Sequence, residues 1–290
     1  MRPRCMLCRL RSTAANIERR VVNMNLFVLL KQVPGTSNVK MDEKTGTMVR
    51  TDRENVINPL DENALEAALE LGRSIDGSKV TVLSMGPSPA SRALKEAIAM
   101  GADEAHLLCH RGFAGSDTLA TARALALAIE HVAGRKLGPS DLVLCGERAT
   151  DGETGQVGPM IAAMLNISVA TYVRRIEVKD DHVAVERVVE EGFERVRLPL
   201  PALVTVVKDI NQPGFPTLAG KLAAKAAPVP LLTPDDLGLT SDTVGLSGSP
   251  TRVVQVFRPK FARDTVLRQQ DSSGAAVDSL VELLAEKEVI

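Results

Sequence analysis

Short apolar runs alternate with helical stretches from residue 25 to about residue 170, and this alternation constrains the fold more than any other feature of the chain. The runs are Leu26–Leu30, Val80–Met85, Ala105–Cys109 and Leu142–Cys145, and the helical stretches are Asp61–Gly72, Ser91–Met100 and Thr118–Val132. Nearly continuous apolar runs are typical of strands buried on both faces. The order therefore predicts an α/β fold with a doubly wound, mostly parallel, Rossmann-like sheet.

A glycine-rich loop lies between a strand and a helix in residues 141–165. The loop contains Gly146, Thr150, Gly152, Thr154, Gly155 and Gly158. Glycines let main-chain N–H groups approach a phosphate, and a helix N-terminus adds partial positive charge. A plain connection between strand and helix also favours Gly and Thr, but such connections run about 2–6 residues, and this one is longer. The stretch therefore predicts a site for a nucleotide phosphate.

Two further segments leave the ends of predicted strands, namely residues 31–35 and 85–88. In doubly wound sheets, ligands bind at the carboxyl ends of strands where the strand order reverses. We therefore expect these segments to meet the loop that begins at Gly146 around one nucleotide.

Composition excludes several classes of function. The net charge is −1, and no basic stretch is interleaved with aromatics, so nucleic acid is not expected as a partner. No apolar run approaches the roughly 18 residues of a membrane span. The four cysteines form no framework, and the lone pair Cys5 and Cys8 lacks further ligands at metal spacing. A reducing, cytoplasmic compartment is the expectation.

The chain termini differ in pattern from its centre. Residues 1–23 contain six arginines and a single acidic residue, which is similar to a transit peptide. Since Met24 directly precedes the first strand, we expect residues 1–23 to be disordered or an artefact of start-codon choice. Residues 24–208 are expected to form the nucleotide-binding domain, 209–227 a partner-recognition loop and helix, and 228–290 an arm that packs on a partner.

The second half of the chain alternates polar and apolar residues. This predicts antiparallel strands at Tyr172–Val178, Val183–Val189 and Arg195–Leu198, leading into Ala202–Val207. Regular patterning fades after Pro228 and returns at Ser279–Ile290, where Ser279 and Glu282 predict a capping box.

Two common nucleotide motifs are absent. The first strand is not followed by G-x-G-x-x-G, and no G-x-x-x-x-G-K-[ST] occurs, which argues against a simple dehydrogenase and a P-loop NTPase. A universal-stress-type ATP binder would place a glycine where Ala149 stands.

Four segments together resemble the β subunit of electron transfer flavoprotein. They are Val28–Pro34, Ile57–Glu66, Met85–Pro87 with Ala99–Asp103, and Gly146–Pro159. The resemblance spans residues 24–245 and implies an electron-transfer subunit rather than a stand-alone enzyme. It implies a heterodimer with an α subunit that makes most contacts to a redox FAD, and electrons supplied by an acyl-CoA or other dehydrogenase.

The resemblance also implies that the pocket of this subunit holds AMP or a second FAD. The contacts carried over are Leu29, Asn58, Pro59, Leu60, Asp61, Met85, Gly146, Glu147, Arg148, Ala149, Thr150, Asp151, Gly152, Glu153, Thr154, Gly155, Gln156 and Val157. Thr154, Gln156 and the loop amides are expected to face the phosphate, and Leu29 and Met85 to sandwich the adenine. Because residues 152 and 155 are small, the loop resembles members that hold a second FAD and divide electron pairs from NADH between two acceptors.

Residues 215–221 resemble the loop by which this family docks its dehydrogenases, with Leu218 as the anchor. The alternative is a connector whose leucine is buried. Two other functions stay open from the residues alone: an adenylate-handling enzyme of similar fold and a nucleotide-sensing module. The enzyme would need a lysine or histidine signature beside the loop, where Arg148 is the only cation.

Overall fold

The fold is described from a computed structural model, which covers residues 23–35, 55–179, 181–254, 267 and 274–290. The predictions for residues 1–22, including Cys5 and Cys8, lie outside the described residues. The chain divides into two units, Met1–Val253 and Val254–Ile290.

The strands are β1 Asn25–Leu29, β2 Gln32–Pro34, β3 Asn55–Ile57, β4 Lys79–Met85, β5 Glu104–Leu108, β6 Asp141–Gly146, β7 Ser168–Val178, β8 His182–Val189, β9 Gly192–Pro199, β10 Ala202–Val206 and β11 Leu231–Leu232. The α-helices are α1 Pro59–Ser74, α2 Ser91–Met100, α3 Thr118–Ala133, α4 Val157–Leu165, α5 Leu218–Ala226 and α6 Ala275–Glu286. The last helix belongs to the second unit.

The strands form a nine-stranded sheet in the order β11-β5-β4-β1-β6-β10-β7-β8-β9 and a separate antiparallel pair, β2 and β3. Pairing is parallel from β11 to β7 and antiparallel from β7 to β9. The predicted α/β, doubly wound fold with an antiparallel region is therefore confirmed. Since the chain builds outward from β1 through β4 and β5, then crosses to β6 on the other side, the strand order reverses between β1 and β6.

Side chains alternate between two apolar clusters along β1. Leu26 and Val28 pack in one cluster with residues of α1 and α2, whereas Phe27 and Leu29 pack in the other with residues of α3 and α4. Successive residues of a strand point to opposite faces, so helices cover both faces of the sheet. This double burial explains why the central strands are continuous apolar runs.

Helix boundaries differ from the sequence predictions in three places. The first helix passes through Gly72 to Ser74. Gly72 serves close helix–strand packing rather than ending the helix, since a Cβ there would stand 3.2 Å from Val80 Cγ2. Helix α4 begins at Val157 and so includes Gly158, which the sequence predicted to lie in the loop. Helix α6 begins after Gly274 and has no side-chain cap at its N-terminus. Ser279 therefore lies inside α6, and the predicted capping box is wrong.

Residues 228–253 belong to the first unit, whereas the sequence predicted that an arm begins at residue 228. This segment adds β11 to the edge of the sheet beside β5. Its Leu237, Leu239 and Val244 are buried in the cluster that contains Phe27. Their spacing is irregular, which hid this packing from the sequence pattern.

The two cysteines of the described ranges differ in burial. Cys145 is buried, whereas Cys109 is only half-buried because it lies just past the end of β5. Within the described ranges, no helix combines the length and the apolar character needed to cross a bilayer.

Candidate functional site

The site lies where β1 and β6 end, and Asp61 joins the two strands there. The Asp61 carboxylate accepts a hydrogen bond from the main-chain N–H of Lys31, after β1, at 2.8 Å. It accepts another from the N–H of Gly146, the last residue of β6, at 2.9 Å. Burial raises the pKa of Asp61 from 3.8 to about 7, although these N–H groups act against the shift. Asp61 thus joins the ends of β1 and β6 at the point where the strand order reverses.

Asn58 stands before the first residue of α1 and binds the loop that follows β6. Its side-chain amide donates to the carbonyl oxygen of Arg148 at 2.9 Å. Its Oδ1 accepts from the N–H of Thr150 at 3.1 Å. Asn58 has an exposed fraction of 0%, so its polar atoms hold the main chain of the loop rather than lying open on the surface. Pro59 follows at the start of α1, a position that proline favours.

Gly146 and Gly158 allow close packing at the two ends of the loop. A Cβ on Gly146 would stand 2.7 Å from both Asp61 Oδ1 and Leu60 Cβ. A Cβ on Gly158 would stand 2.7 Å from Thr205 Cγ2 and 3.0 Å from Cys145 Sγ. Glycine at these positions lets the start of α1 approach β6, and the first turn of α4 approach β6 and β10.

Between these glycines the loop is open. Residues 150–154 are exposed, and a Cβ on Gly152 would meet no atom within 4 Å. The backbone is left-handed at Glu153 (φ 51°) and Gly155 (φ 62°). Helix α4 begins after Gln156 without a side-chain cap. The N–H groups of Gly152 and Glu153 donate to the carbonyl oxygen of Ala149 at 3.3 and 2.8 Å, so an anion would have to bind main-chain N–H groups nearer the start of α4.

Glu147, Arg148 and Asp151 of the loop are in ion pairs. Lys31 Nζ lies 2.6 Å from Asp151 Oδ1, and Arg148 lies 2.9 Å from Glu147. Burial raises the pKa of Glu147, and Arg148 partly offsets this effect. Sequence reasoning missed the pair of Lys31 with Asp151, which are 120 residues apart. Any anion bound here depends mainly on main-chain N–H groups.

Residues 31–35 contact the loop through Lys31 and Asp151, and Gln32 Nε2 donates to the carbonyl oxygen of Pro89, one residue past segment 85–88, at 3.3 Å. That the three segments surround one nucleotide stays a prediction. The side chain of Met85 is partly buried at the end of β4, whereas Leu29 is only 5% exposed and packs in the core. Leu29 therefore presents little side-chain surface for an adenine.

Comparison with known proteins shows the family of this chain. The electron transfer flavoprotein domain matches residues 45–237. The chain is 45% identical over 268 residues to the electron transfer flavoprotein subunit beta of Thermoanaerobacterium thermosaccharolyticum, covering 92% of this chain and 100% of the relative. It is 42% identical over 267 residues to the caffeyl-CoA reductase-Etf complex subunit CarD of Acetobacterium woodii, with 92% and 100% covered.

The chain belongs to the electron transfer flavoprotein family. It is also 41% identical over 240 residues to protein FixA of Bradyrhizobium diazoefficiens, covering 81% of this chain and 83% of that protein. The resemblance to β subunits and the electron-transfer role predicted from the sequence are thereby confirmed. The individual nucleotide contacts stay predictions.

The segment predicted to dock dehydrogenases is exposed in this electron transfer flavoprotein chain. Leu218 is the first residue of α5, and the side chain of Thr217 caps that helix by accepting from the N–H of Gly220 at 2.9 Å. Phe215, Leu218 and Leu222 are 94%, 77% and 64% exposed. The alternative of a buried leucine does not hold.

Proposed function

We propose that this chain is the β subunit of a heterodimeric electron transfer flavoprotein and that its loop 146–157 holds an adenine nucleotide. The observation that carries the proposal is the joint action of Asn58 and Asp61. Together they attach the loop to the ends of β1 and β6 at the reversal of strand order, where sheets of this kind bind nucleotides. The family membership and the subunit names of the relatives support the electron-transfer role.

We propose FAD rather than AMP as the nucleotide of this subunit. No atom lies within 4 Å of the position of a Cβ on Gly152, and the left-handed backbone at Glu153 and Gly155 turns the chain into the start of α4. These features fit a diphosphate, and the uncapped start of α4 favours its negative charge. When bound, the flavin supplies the one-electron and two-electron chemistry. The residues of this chain hold and orient it.

A flavin in this subunit, added to the FAD held mainly by the α subunit, would give the heterodimer two flavins. Two flavins let one complex divide the electron pair of NADH between two acceptors, and we extend the proposal to that activity. The relative CarD carries the name of an Etf complex with a coenzyme A-linked reductase, which supports a dehydrogenase or reductase as the partner.

The decisive experiment is a count of FAD and AMP in the heterodimer purified with its α subunit. Two FAD per heterodimer support the proposal, and one FAD with one AMP contradicts the choice of FAD. A Gly155→Asn variant should lose the FAD of this subunit and retain AMP, because asparagine tolerates the left-handed backbone but its side chain narrows the turn beside Glu147 O, 3.4 Å from the Cβ position. Gly134→Asn is the matched control, because it places an asparagine at another left-handed glycine (φ 67°), at the end of α3, with no atom within 4 Å of the Cβ position.

We further propose that the surface formed by Phe215, Leu218 and Leu222 binds the dehydrogenase that supplies electrons. An exposed apolar cluster of this kind marks a protein interaction site. Lys95 supports the cluster from α2, since its Nζ donates to the carbonyl oxygen of Ala224 near the end of α5 at 2.7 Å.

A further inference from the structure

An irregularity in β7 places Tyr172 beside the glycine-rich loop. The register of β7 shifts against β10 between Val204 and Val206, and against β8 between Val173 and Arg175. At this point Tyr172 has φ 58°, in the left-handed region that bulky residues rarely adopt. The shift leaves Tyr172 outside the parallel ladder of β7 and β10, which continues with Val173 paired to Val206.

The main chain of Tyr172 is hydrogen-bonded to β10, which packs against α4. Its main-chain N–H donates to Thr205 Oγ1 at 3.3 Å. Thr205 is 2% exposed, and its Cγ2 lies 2.7 Å from the position a Cβ on Gly158 would take. The backbone of Tyr172 is therefore held next to the first turn of α4.

The hydroxyl of Tyr172 reaches the loop itself. It lies 4.0 Å from the position of a Cβ on Gly155. Tyr172 is 43% exposed, whereas its neighbour Val173 is 0% exposed. Within the part of the chain that the structure describes, the hydroxyl has no hydrogen-bond partner. A tyrosine hydroxyl is both a donor and an acceptor, so it is a free donor at the end of the loop nearest α4.

We propose that the Tyr172 hydroxyl donates a hydrogen bond to a phosphate oxygen of the adenine nucleotide held by loop 146–157. The inference rests on the proposed nucleotide site and adds a ligand-binding residue from a distant strand. A hydrogen bond from a neutral hydroxyl to a charged phosphate is stronger than one between neutral groups. It also adds a side-chain donor to a loop whose cations, Lys31 and Arg148, are already paired.

The chain offers a direct probe, since it has one tyrosine and no tryptophan. When the excitation wavelength is one that tyrosine absorbs and phenylalanine does not, the emission of the full chain, stripped of nucleotide, reports on Tyr172 alone. Titration with AMP should change this emission saturably. Tyr172→Phe should bind AMP about tenfold more weakly by calorimetry, while adenosine, which lacks the phosphate, should bind both proteins equally.

Two controls separate a ligand contact from a structural role. Phe193→Leu alters another exposed aromatic of the sheet, 59% exposed, and should leave AMP affinity unchanged. Tyr172→Asn relieves the left-handed backbone, so it should raise the melting temperature and still weaken AMP binding.

Equal AMP affinity of Tyr172→Phe and the natural chain would overturn the inference and leave the proposed function intact. Equal losses for AMP and adenosine would overturn the assignment to phosphate. If the natural chain binds no AMP and its heterodimer holds no nucleotide beyond one FAD, the proposed nucleotide site fails, and the inference fails with it.

Discussion

The side-chain amide of Asn58 donates to the carbonyl oxygen of Arg148 at 2.9 Å, across 90 residues of sequence. The Oδ1 atom of the same side chain accepts from the N–H of Thr150. The residue before α1 therefore holds the main chain of the loop in place. The proposed nucleotide site therefore depends on two segments far apart in the chain. The loop would supply the main-chain donors, and Asn58 at the start of α1 holds the loop in place.

Asn58→Ala should loosen the loop and weaken nucleotide binding. The variant loses the hydrogen bonds of Asn58 to Arg148 O and Thr150 N–H, each worth about 0.5–1.5 kcal/mol of unfolding free energy. Asn63→Ala is the matched control, because Asn63 is a buried asparagine of the same helix whose amide donates to Asn211 O at 3.0 Å, away from the loop.

Urea unfolding and AMP calorimetry measure the two effects of these variants. Both should lower the unfolding free energy, but only Asn58→Ala should also weaken AMP binding. Equal AMP affinity of the two variants would contradict a supporting role of Asn58.

The sequence predicted the central strands and the glycine-rich loop well, because double burial and tight turns leave local patterns. It predicted Asn58 and Asp61 as site residues, but their bonds to Arg148, Thr150 and Gly146 are long-range and leave no periodic signal. Tyr172 was missed for the same reason, since a register shift in β7 sets its position. The prediction that the first helix ends at Gly72 was wrong, because in the sequence a glycine that serves close packing looks the same as one that ends a helix.

Asp61 should make stability fall as pH rises toward neutrality. Burial raises its pKa in the folded state from 3.8 to about 7, so between these values the folded chain binds a proton that the unfolded chain has lost. Its stabilising contribution is therefore complete below the unfolded pKa and is lost as pH rises through about 7.

Asp61→Asn removes this titration and sets the baseline for the pH effect. Unfolding free energies in urea between pH 5 and pH 8 should show the natural chain losing stability relative to Asp61→Asn. A constant difference between the two proteins over this range would contradict the raised pKa.

Gly146→Ala should destabilise the fold more than an alanine elsewhere in the loop. The new methyl group would stand 2.7 Å from Asp61 Oδ1 and from Leu60 Cβ, and overpacking of this kind costs about 1–3 kcal/mol. Gly152→Ala enters open space and should change stability by less than about 1 kcal/mol. Thermal unfolding measures both variants, and equal melting temperatures would show that β6 and α1 can separate without cost.

Leu218→Ala should reduce electron transfer from the dehydrogenase without affecting the fold. Since Leu218 is 77% exposed, its truncation should change unfolding free energy by no more than about 0.5 kcal/mol. Stopped-flow reduction of the heterodimer by its dehydrogenase measures docking. Leu231→Ala, at an exposed leucine in β11, is the control. If both variants are reduced as fast as the natural heterodimer, Leu218 is not the anchor.

The second unit should be needed for pairing with the α subunit, and the first unit should fold without it. In α6 the side chains of Val277, Leu280, Val281 and Leu283 are 48–54% exposed, an apolar surface that favours a partner. A chain truncated after Val253 should therefore keep its melting temperature but fail to co-elute with the α subunit in size-exclusion chromatography.

A chain truncated after Pro228 provides the contrast, because it also loses the buried Leu237, Leu239 and Val244. Burial of each such side chain contributes about 1.5–3 kcal/mol, so this chain should melt well below the one that ends at Val253. Normal pairing of the Val253 truncation with the α subunit would refute the role of the second unit. Equal melting temperatures of the two truncations would refute the packing of residues 229–253 on the rest of the first unit.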